Sequence, residues 1–164
     1  MSNKHNPTSF KKGEAFEGYV EQVLFPKSDY DLLHKTNAYD QNNERYVGDS
    51  KKPDYRFKCR ITGAEFHIEA KYRSKSFNDS YDILSKTQVK TFAAIHAENP
   101  IFIALGYGNE ANDPAYVSLI PYEQHRDLRI PVEIALNYQI DKATVPSNLV
   151  LRRKLLLRNW RKKP

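Results

Sequence analysis

Residues 54–72 read DYRFKCRITGAEFHIEAKY, and this stretch decides how the chain folds. Apolar residues alternate with polar ones in two short runs, which is the pattern of two half-buried β-strands. The apolar set of the first run is Tyr55, Phe57, Cys59 and Ile61. Because Thr62-Gly63 separates the two runs and is a turn signal, the sequence predicts an antiparallel hairpin.

A two-residue turn fixes the predicted register of this hairpin. Asp54 falls opposite Lys71, and Arg56 falls opposite Glu69. The carboxylates of Asp54 and Glu69 then converge with Lys71 on one face of the sheet. Two carboxylates that close repel each other unless a cation lies between them, and a divalent cation with oxygen ligands would satisfy both. The alternative is a solvated hairpin face held by cross-strand ion pairs, such as Arg56 with Glu69.

Hydrophobic periodicity predicts helices and further strands outside the hairpin. A helix is expected over 11–24, because Phe16, Val20, Val23 and Leu24 share one face. The other predicted elements are a strand within 30–39, a helix over 85–98, strands over 100–105 and 115–120, and a strand or helix at 148–158. This order predicts an α/β or α+β sandwich around a central mixed β-sheet, and of the two we adopt the α/β class, with helices flanking the sheet.

Length and composition describe one globular domain. The chain has 164 residues, of which 40% are hydrophobic and 28% charged. We divide it into a core over 10–125 and a C-terminal extension over 126–164. A single cysteine excludes an internal disulfide and fits a reducing compartment. Because neither a membrane-length apolar run nor a signal-peptide pattern is seen, a cytoplasmic protein without a membrane partner is expected.

The net charge of +6 is concentrated near the C-terminus. Seven of the 26 basic residues lie between Arg152 and Lys163, which leaves 19 basic against 20 acidic residues in the rest of the chain. Such a segment indicates a polyanion partner or a solvated terminus. Arg152, Arg153, Lys154 and Trp160 are therefore candidate nucleic-acid contacts, although Trp160 could equally pack on the domain or on a second subunit.

The charged residues of the hairpin match the motif of a known nuclease family. Pro53-Asp54, followed by Glu69-Ala70-Lys71 at the end of the next strand, resembles the PD-(D/E)XK signature. The predicted order of helices and strands is also similar to that family's core. The resemblance covers about residues 10–121 and implies a restriction-endonuclease-like fold there.

A second motif lies on the first predicted helix. Gly13 and Glu17, on a helix entered through Lys11-Lys12, resemble the N-terminal motif of archaeal Holliday junction resolvases and related nucleases. Glu17 lies on the flank of the apolar stripe, from which its carboxylate could reach the hairpin patch. Junction-type relatives are typically dimers, so the resemblance also makes a homodimer a candidate assembly.

The resemblance implies a Mg²⁺-dependent DNA endonuclease, which is a metal-dependent phosphodiesterase, and gives each site residue a role. Asp54, Glu69 and the backbone carbonyl of Ala70 would bind Mg²⁺, for which Mn²⁺ can substitute. Glu17 would hold a second metal or a metal-bound water. Lys71 would orient or help to deprotonate the attacking water and offset charge on the phosphate. The DNA endonuclease would be structure-specific, as a junction resolvase is, or of the restriction type. The sequence leaves the substrate open among branched junctions, duplex sites, single strands and RNA.

Four further residues have two interpretations each. Gln88 matches a glutamine that many nucleases of this superfamily carry on the helix after the signature, yet Ser85 and Gln88 also form a capping box. Arg56, Arg73 and Lys75 lie near the predicted site and could hold the DNA backbone or be solvated. Two other functions stay open, namely a non-catalytic nucleic-acid-binding module with this fold and a subunit of a larger nucleic-acid-processing complex.

Overall fold

The computed structural model describes residues 7–36 and 52–153. The elements are α1 (Pro7–Tyr19), β1 (Tyr30–Lys35), β2 (Tyr55–Cys59), β3 (Glu65–Arg73), β4 (Ser80–Asp82), α2 (Lys86–Glu98), β5 (Ile101–Glu110), β6 (Asp113–Pro121), β7 (Arg129–Pro131), α3 (Val132–Leu136), β8 (Gln139–Ile140) and a last helix, α4, over 147–153. A π-helical turn, Val20–Leu24, continues α1, and a 3₁₀ turn, Tyr122–Gln124, follows β6. None of the helices in these ranges is long and apolar enough to span a bilayer.

Six strands form one mixed sheet in the order β1-β2-β3-β5-β6-β8. Among the strands of residues 7–36 and 52–153, only β3 and β5 are parallel neighbours in this sheet, and the other neighbouring strands pair antiparallel. Strands β4 and β7 form a separate two-stranded ribbon. The predicted fold class, an α/β fold with a central mixed sheet flanked by helices, is confirmed. β8 belongs to the predicted C-terminal extension, and the boundary at residue 125 stays a prediction.

Apolar clusters cover both faces of the sheet, and β5 contributes to both. Phe102 points to the side of α1, whereas Ile101 points to the side of α2. This explains why the β5 sequence is continuously apolar. Gly106 of β5 lies under Phe16 of α1, and a Cβ added at Gly106 would stand 2.3 Å from the Phe16 ring. The first helix therefore packs directly on the backbone of the sheet.

The hairpin loop is longer than predicted. Cys59 N–H donates to the Ala64 carbonyl at 2.9 Å, so the loop has four residues, 60–63, instead of two. Gly63 adopts a φ of 77°, in the left-handed region that favours glycine, and its N–H donates to the Cys59 carbonyl at 2.9 Å. Ile61, predicted on the apolar face of a strand, lies in this loop and is 76% exposed.

Because the loop is longer, the observed pairing of β2 with β3 differs from the predicted register by two residues. Arg56 lies opposite His67 and not opposite Glu69. Asp54 precedes the last paired residue of β2 by one position, and the same register places it opposite Glu69 and not opposite Lys71. An even shift changes the partners but leaves every side chain on its original face, because side chains alternate with a period of two.

Candidate active site

The candidate site lies where β2 and β3 separate. Tyr55 and Ile68 are the last paired residues of the two strands. Beyond them the Asp54 side chain takes the place of a backbone partner, because its Oδ2 accepts a hydrogen bond from the Ala70 N–H at 2.8 Å. The Asp54 N–H in turn donates to Glu69 Oε1 at 3.2 Å. These two bonds bring the carboxylates of Asp54 and Glu69 together.

Glu69 is the most buried carboxylate of the site, with 3% of its surface exposed. Its Oε2 accepts a hydrogen bond from Gln88 Nε2 at 2.9 Å and pairs with Lys71 Nζ at 3.2 Å. Lys71 Nζ also donates to Gln88 Oε1 at 3.4 Å. Strand periodicity aims Glu69 and Lys71 to the same side of β3, and the first turn of α2 supplies the amide.

Gln88 forms the predicted capping box and also contacts Glu69, and its role in the site stays a prediction. The Ser85 N–H donates to Gln88 Oε1 at 3.0 Å and the Gln88 N–H donates to Ser85 Oγ at 3.1 Å, which together form a capping box. The amide oxygen is therefore directed to the helix end and to Lys71, and the amide NH₂ is directed to Glu69. The helix cap thus fixes the orientation of the side chain that contacts the carboxylate.

The site concentrates negative charge in a poorly solvated place. Burial, followed by the charges of Glu69 and Glu17, raises the pKa of Asp54 well above its ordinary value, against the opposing effects of the Ala70 N–H and Lys71. Burial also raises the pKa of Glu17 to about 7; Lys35 opposes this shift, whereas Glu69 adds to it. Glu17, Asp54 and Glu69 therefore interact electrostatically.

The structure shows a polar cluster beside Glu17 that was not predicted from the sequence. The Tyr55 hydroxyl donates to Glu21 Oε2 at 2.7 Å and lies 3.3 Å from the Glu17 carbonyl oxygen. Lys35 Nζ pairs with Glu21 Oε2 at 2.6 Å. Glu21 follows Glu17 by four residues, and this spacing on a predicted helix was the available signal. Lys35 and Tyr55 reach the cluster from neighbouring strands and gave no local signal.

The donor set fits a divalent cation in chemistry and in charge. Carboxylate oxygens are the ligands that Mg²⁺ prefers. Burial and then the charges of Glu69 and Glu17 raise the pKa of Asp54, and a cation would balance these charges. Within residues 7–36 and 52–153, no three His, Cys, Asp or Glu side chains are arranged to hold an ion. Asp54 and Glu69 instead direct oxygens to Ala70, Gln88 and Lys71.

The predicted DNA contacts near the site differ in their surroundings. Arg56 Nη2 pairs with Glu65 Oε1 at 2.5 Å, and its buried Nε has no hydrogen-bond partner within the described part of the chain. Arg73 is half-buried, and its Nη1 donates to the Tyr72 carbonyl at 2.8 Å. Lys75 is exposed. The DNA-binding role of these three residues stays a prediction.

The predicted contacts near the C-terminus are described only in part. Arg152 is exposed on α4. The Arg153 guanidinium lies 5.7 Å from the centre of the Tyr138 ring and donates to the Leu119 carbonyl. Lys154 and Trp160 lie outside the described residues.

The comparisons with known proteins give information on the fold alone. No family model matches the chain, and no curated protein matches it. Among solved structures, the chain is similar to Hjc, a Holliday junction resolvase from the archaeal hyperthermophile Archaeoglobus fulgidus. The TM-score is 0.54 at 15% sequence identity, and the match covers 79% of this chain and 91% of that chain. The chain therefore has a resolvase-like, nuclease-like fold.

Proposed function

We propose that the protein is a Mg²⁺-dependent DNA endonuclease that hydrolyses phosphodiester bonds. The observation that carries this proposal is the set of contacts on β3, where buried Glu69 touches Asp54, Lys71 and Gln88. An acidic pair beside a lysine meets the needs of phosphodiester hydrolysis, because the reaction requires a nucleophile at neutral pH and positive charge near the phosphate. The resolvase-like fold supports the same conclusion.

Each residue has a chemical task in this proposal. A bound Mg²⁺ would supply Lewis acidity at the phosphate and acidify a water molecule. Asp54, Glu69 and the Ala70 carbonyl would hold the ion. Lys71, whose Nζ is held 3.2 Å from Glu69, would orient the attacking water and offset the charge that builds on the phosphate. Gln88 would fix the orientation of Glu69 relative to Lys71.

Glu17 completes the proposed set from the other side of the sheet. Its pKa of about 7 allows its carboxyl group to exchange a proton near neutral pH. Its charge also acts on Asp54 and Glu69, which supports a role within the same site. The homodimer and the cytoplasmic location expected from the sequence stay predictions.

A cleavage assay on several DNA forms tests the proposal. A four-way junction, a linear duplex and a single strand are incubated with Mg²⁺ and, separately, with EDTA. We expect cleavage only with Mg²⁺, and we expect it to be lost in Asp54→Asn and Lys71→Ala. Lys58→Ala is the matched control, because Lys58 is an exposed lysine at the far end of β2.

The result also separates the alternatives. Binding of DNA without cleavage, in both Mg²⁺ and Mn²⁺, would replace the enzyme by a non-catalytic nucleic-acid-binding module. Cleavage that survives in both site variants would show that the reacting residues lie elsewhere. A chain that neither binds nor cleaves any of the substrates would refute a nucleic-acid function.

A further inference from the structure

A basic groove lies beside the candidate active site. It is a cavity of about 500 Å³ between the middle of α1, at Lys12 and Gly13, and the end of β3. Among the described residues that line it, four are basic and none is acidic. The four are Lys12, Lys71, Arg73 and Lys75. Because Lys71 belongs to both the groove and the site, the groove opens onto the residues that we propose to act on a phosphate.

The positive charges that line this groove favour the binding of an anion. Cations that line one cavity repel each other, and an anion between them removes this repulsion. Of the four cations, Lys71 is already paired with Glu69 at 3.2 Å, which leaves Lys12, Arg73 and Lys75 to hold an anion. Lys75 is exposed, and Arg73 donates to a backbone carbonyl. A row of such cations fits the regularly spaced charges of a phosphodiester backbone.

An exposed aromatic residue lies two positions beyond the groove in the chain. Phe77 is 68% exposed and follows Lys75 by two residues, so that their Cα atoms lie within about 7 Å of each other. Asn78 and Asp79 both have positive φ, at 51° and 58°. Reciprocal backbone hydrogen bonds of 2.9 and 3.0 Å join Phe77 to Ser80. These features define a tight type I′ turn, which fixes the backbone at Phe77.

Arg129 supports this ring from the neighbouring strand β7. Its guanidinium lies 5.6 Å from the centre of the Phe77 ring, and its Nη2 donates to the Phe77 carbonyl at 3.2 Å. Arg129 Nε also pairs with Asp82 at 3.1 Å. The ring is thus held by a cation and still exposes most of its surface. Proteins that bind single strands combine an aromatic platform of this kind with a basic groove.

We propose that the groove and Phe77 together bind an unpaired DNA strand next to the phosphate that is cleaved. Lys12, Arg73 and Lys75 contact successive phosphates, and the Phe77 ring stacks on a base. In a duplex the bases already stack on each other, so Phe77 contributes little to duplex binding. The inference rests on the proposed function and narrows its substrate to DNA with unpaired nucleotides beside the cleavage point, such as a flap or an open branch.

Binding without cleavage tests this inference. Fluorescence anisotropy measures the Kd for a labelled oligothymidylate and for a duplex of equal length, in EDTA. Phe77→Ala should weaken single-strand binding by about 5- to 150-fold and duplex binding by less than about 2-fold. Phe77→Trp should keep the affinity. Ile61→Ala, which removes an equally exposed apolar side chain at the far end of the hairpin, should change neither Kd.

The groove lysines are tested by salt dependence. The double variant Lys12→Ala/Lys75→Ala should reduce the slope of log affinity against log salt by about 0.7 for each single-strand phosphate contact that is lost. Lys58→Ala should leave the slope unchanged.

Two results separate this inference from the nuclease proposal. Equal single-strand affinity of Phe77→Ala and wild type overturns the inference, and cleavage by the wild type would still support the nuclease. Conversely, Phe77-dependent strand binding by a chain that cleaves nothing supports the binding of a single strand by the groove and Phe77, and ends the nuclease proposal.

Discussion

Lys71 is the side chain on which the proposed chemistry depends most directly. Its Nζ lies 3.2 Å from Glu69 Oε2 and 3.4 Å from Gln88 Oε1, so the charge is held in one place. In the proposed reaction this cation offsets charge that develops in the transition state, so Lys71→Ala should lower the cleavage rate by about 10²- to 10³-fold. DNA affinity should change little.

Single-turnover rates with Mg²⁺ measure the effect of Lys71→Ala, and Kd values in EDTA are measured alongside. Lys58→Ala controls for the loss of one positive charge and should cleave at the wild-type rate. A Lys71→Ala variant that cleaves as fast as wild type would remove this residue from the mechanism.

Asp54 carries a charge that destabilises the metal-free fold. Its folded pKa lies above the unfolded value of about 3.9, so between these two values the native state binds more protons than the unfolded state. Stability therefore falls as pH rises through this window. Asp54→Asn keeps an acceptor for the Ala70 N–H and removes the charge. At pH 8 the metal-free variant should be the more stable protein by on the order of 1 kcal/mol or more, because one pKa unit corresponds to about 1.4 kcal/mol.

Thermal unfolding in EDTA, followed from acid to alkaline pH, tests this expectation. The difference in stability between variant and wild type should decrease as pH falls through the folded pKa of Asp54, because the wild-type carboxyl group then becomes neutral. Added Mg²⁺ should stabilise wild type far more than the variant, since binding to the native state raises stability by mass action. A variant that is less stable than wild type at pH 8 in EDTA would contradict the argument.

At the scale of elements, the contact between α1 and β5 positions Glu17. The ring of Phe16, one residue before Glu17, occupies the space that a Cβ on Gly106 would need, at 2.3 Å. Phe16 is buried and has little room to turn. Gly106→Ala should therefore displace the ring or the helix and cost about 1–3 kcal/mol of stability. Urea denaturation measures this loss, and the cleavage rate should fall with it because Glu17 moves.

Gly18→Ala is the matched control for this prediction. Gly18 lies in the same helix, and a Cβ there would meet nothing within 4 Å. Alanine is the better helix former, so this variant should be more stable than wild type by about 0.5–1 kcal/mol. If Gly106→Ala were as stable as wild type, the close packing of α1 on the sheet would not determine where Glu17 lies.

The hairpin shows which part of the fold could be read from the sequence. The alternation of apolar and polar residues gave both strands and their faces, and for this reason Asp54, Glu69 and Lys71 were expected on one side. The pairing was wrong by two residues, because a Thr-Gly pair fits a two-residue turn as well as a longer loop with glycine in the left-handed region. An error of one residue would have sent the site to the opposite face.

Contacts between residues far apart in the chain could not be predicted from the sequence. The support of Phe77 by Arg129 spans 52 residues and depends on the pairing of β4 with β7. Lys35 reaches Glu21 only because β1 lies beside β2. Such contacts follow from topology, which periodicity along the chain does not encode. Gln88 is the exception, because its capping box gave a local signal at the same position.

At the scale of the whole molecule, positive charge is distributed unevenly. Residues 154–164 hold five basic residues and no acidic one, so their removal would lower the net charge from +6 to +1. A nuclease must hold a polymer with one charge per phosphate, and the remaining chain is nearly neutral. We therefore expect residues 154–164 to supply much of the non-specific DNA affinity. Arg153 is kept in the truncated chain because its guanidinium packs on Tyr138 and contacts Leu119.

Deleting residues 154–164 should raise the Kd for duplex DNA and flatten the slope of log affinity against log salt. The slope changes by about 0.9 for each phosphate that a cation neutralises, so the loss of five cations reduces it by up to about 4.5. Folding and Mg²⁺-dependent stabilisation should survive, because Asp54 and Glu69 lie outside the deleted segment. A second variant, with the five basic residues changed to Gln, keeps Trp160 and its neighbouring leucines and isolates the effect of charge. If deletion weakens binding but the Gln variant keeps the wild-type slope, the segment acts through packing or dimerisation, and the DNA is held by the cations beside the site.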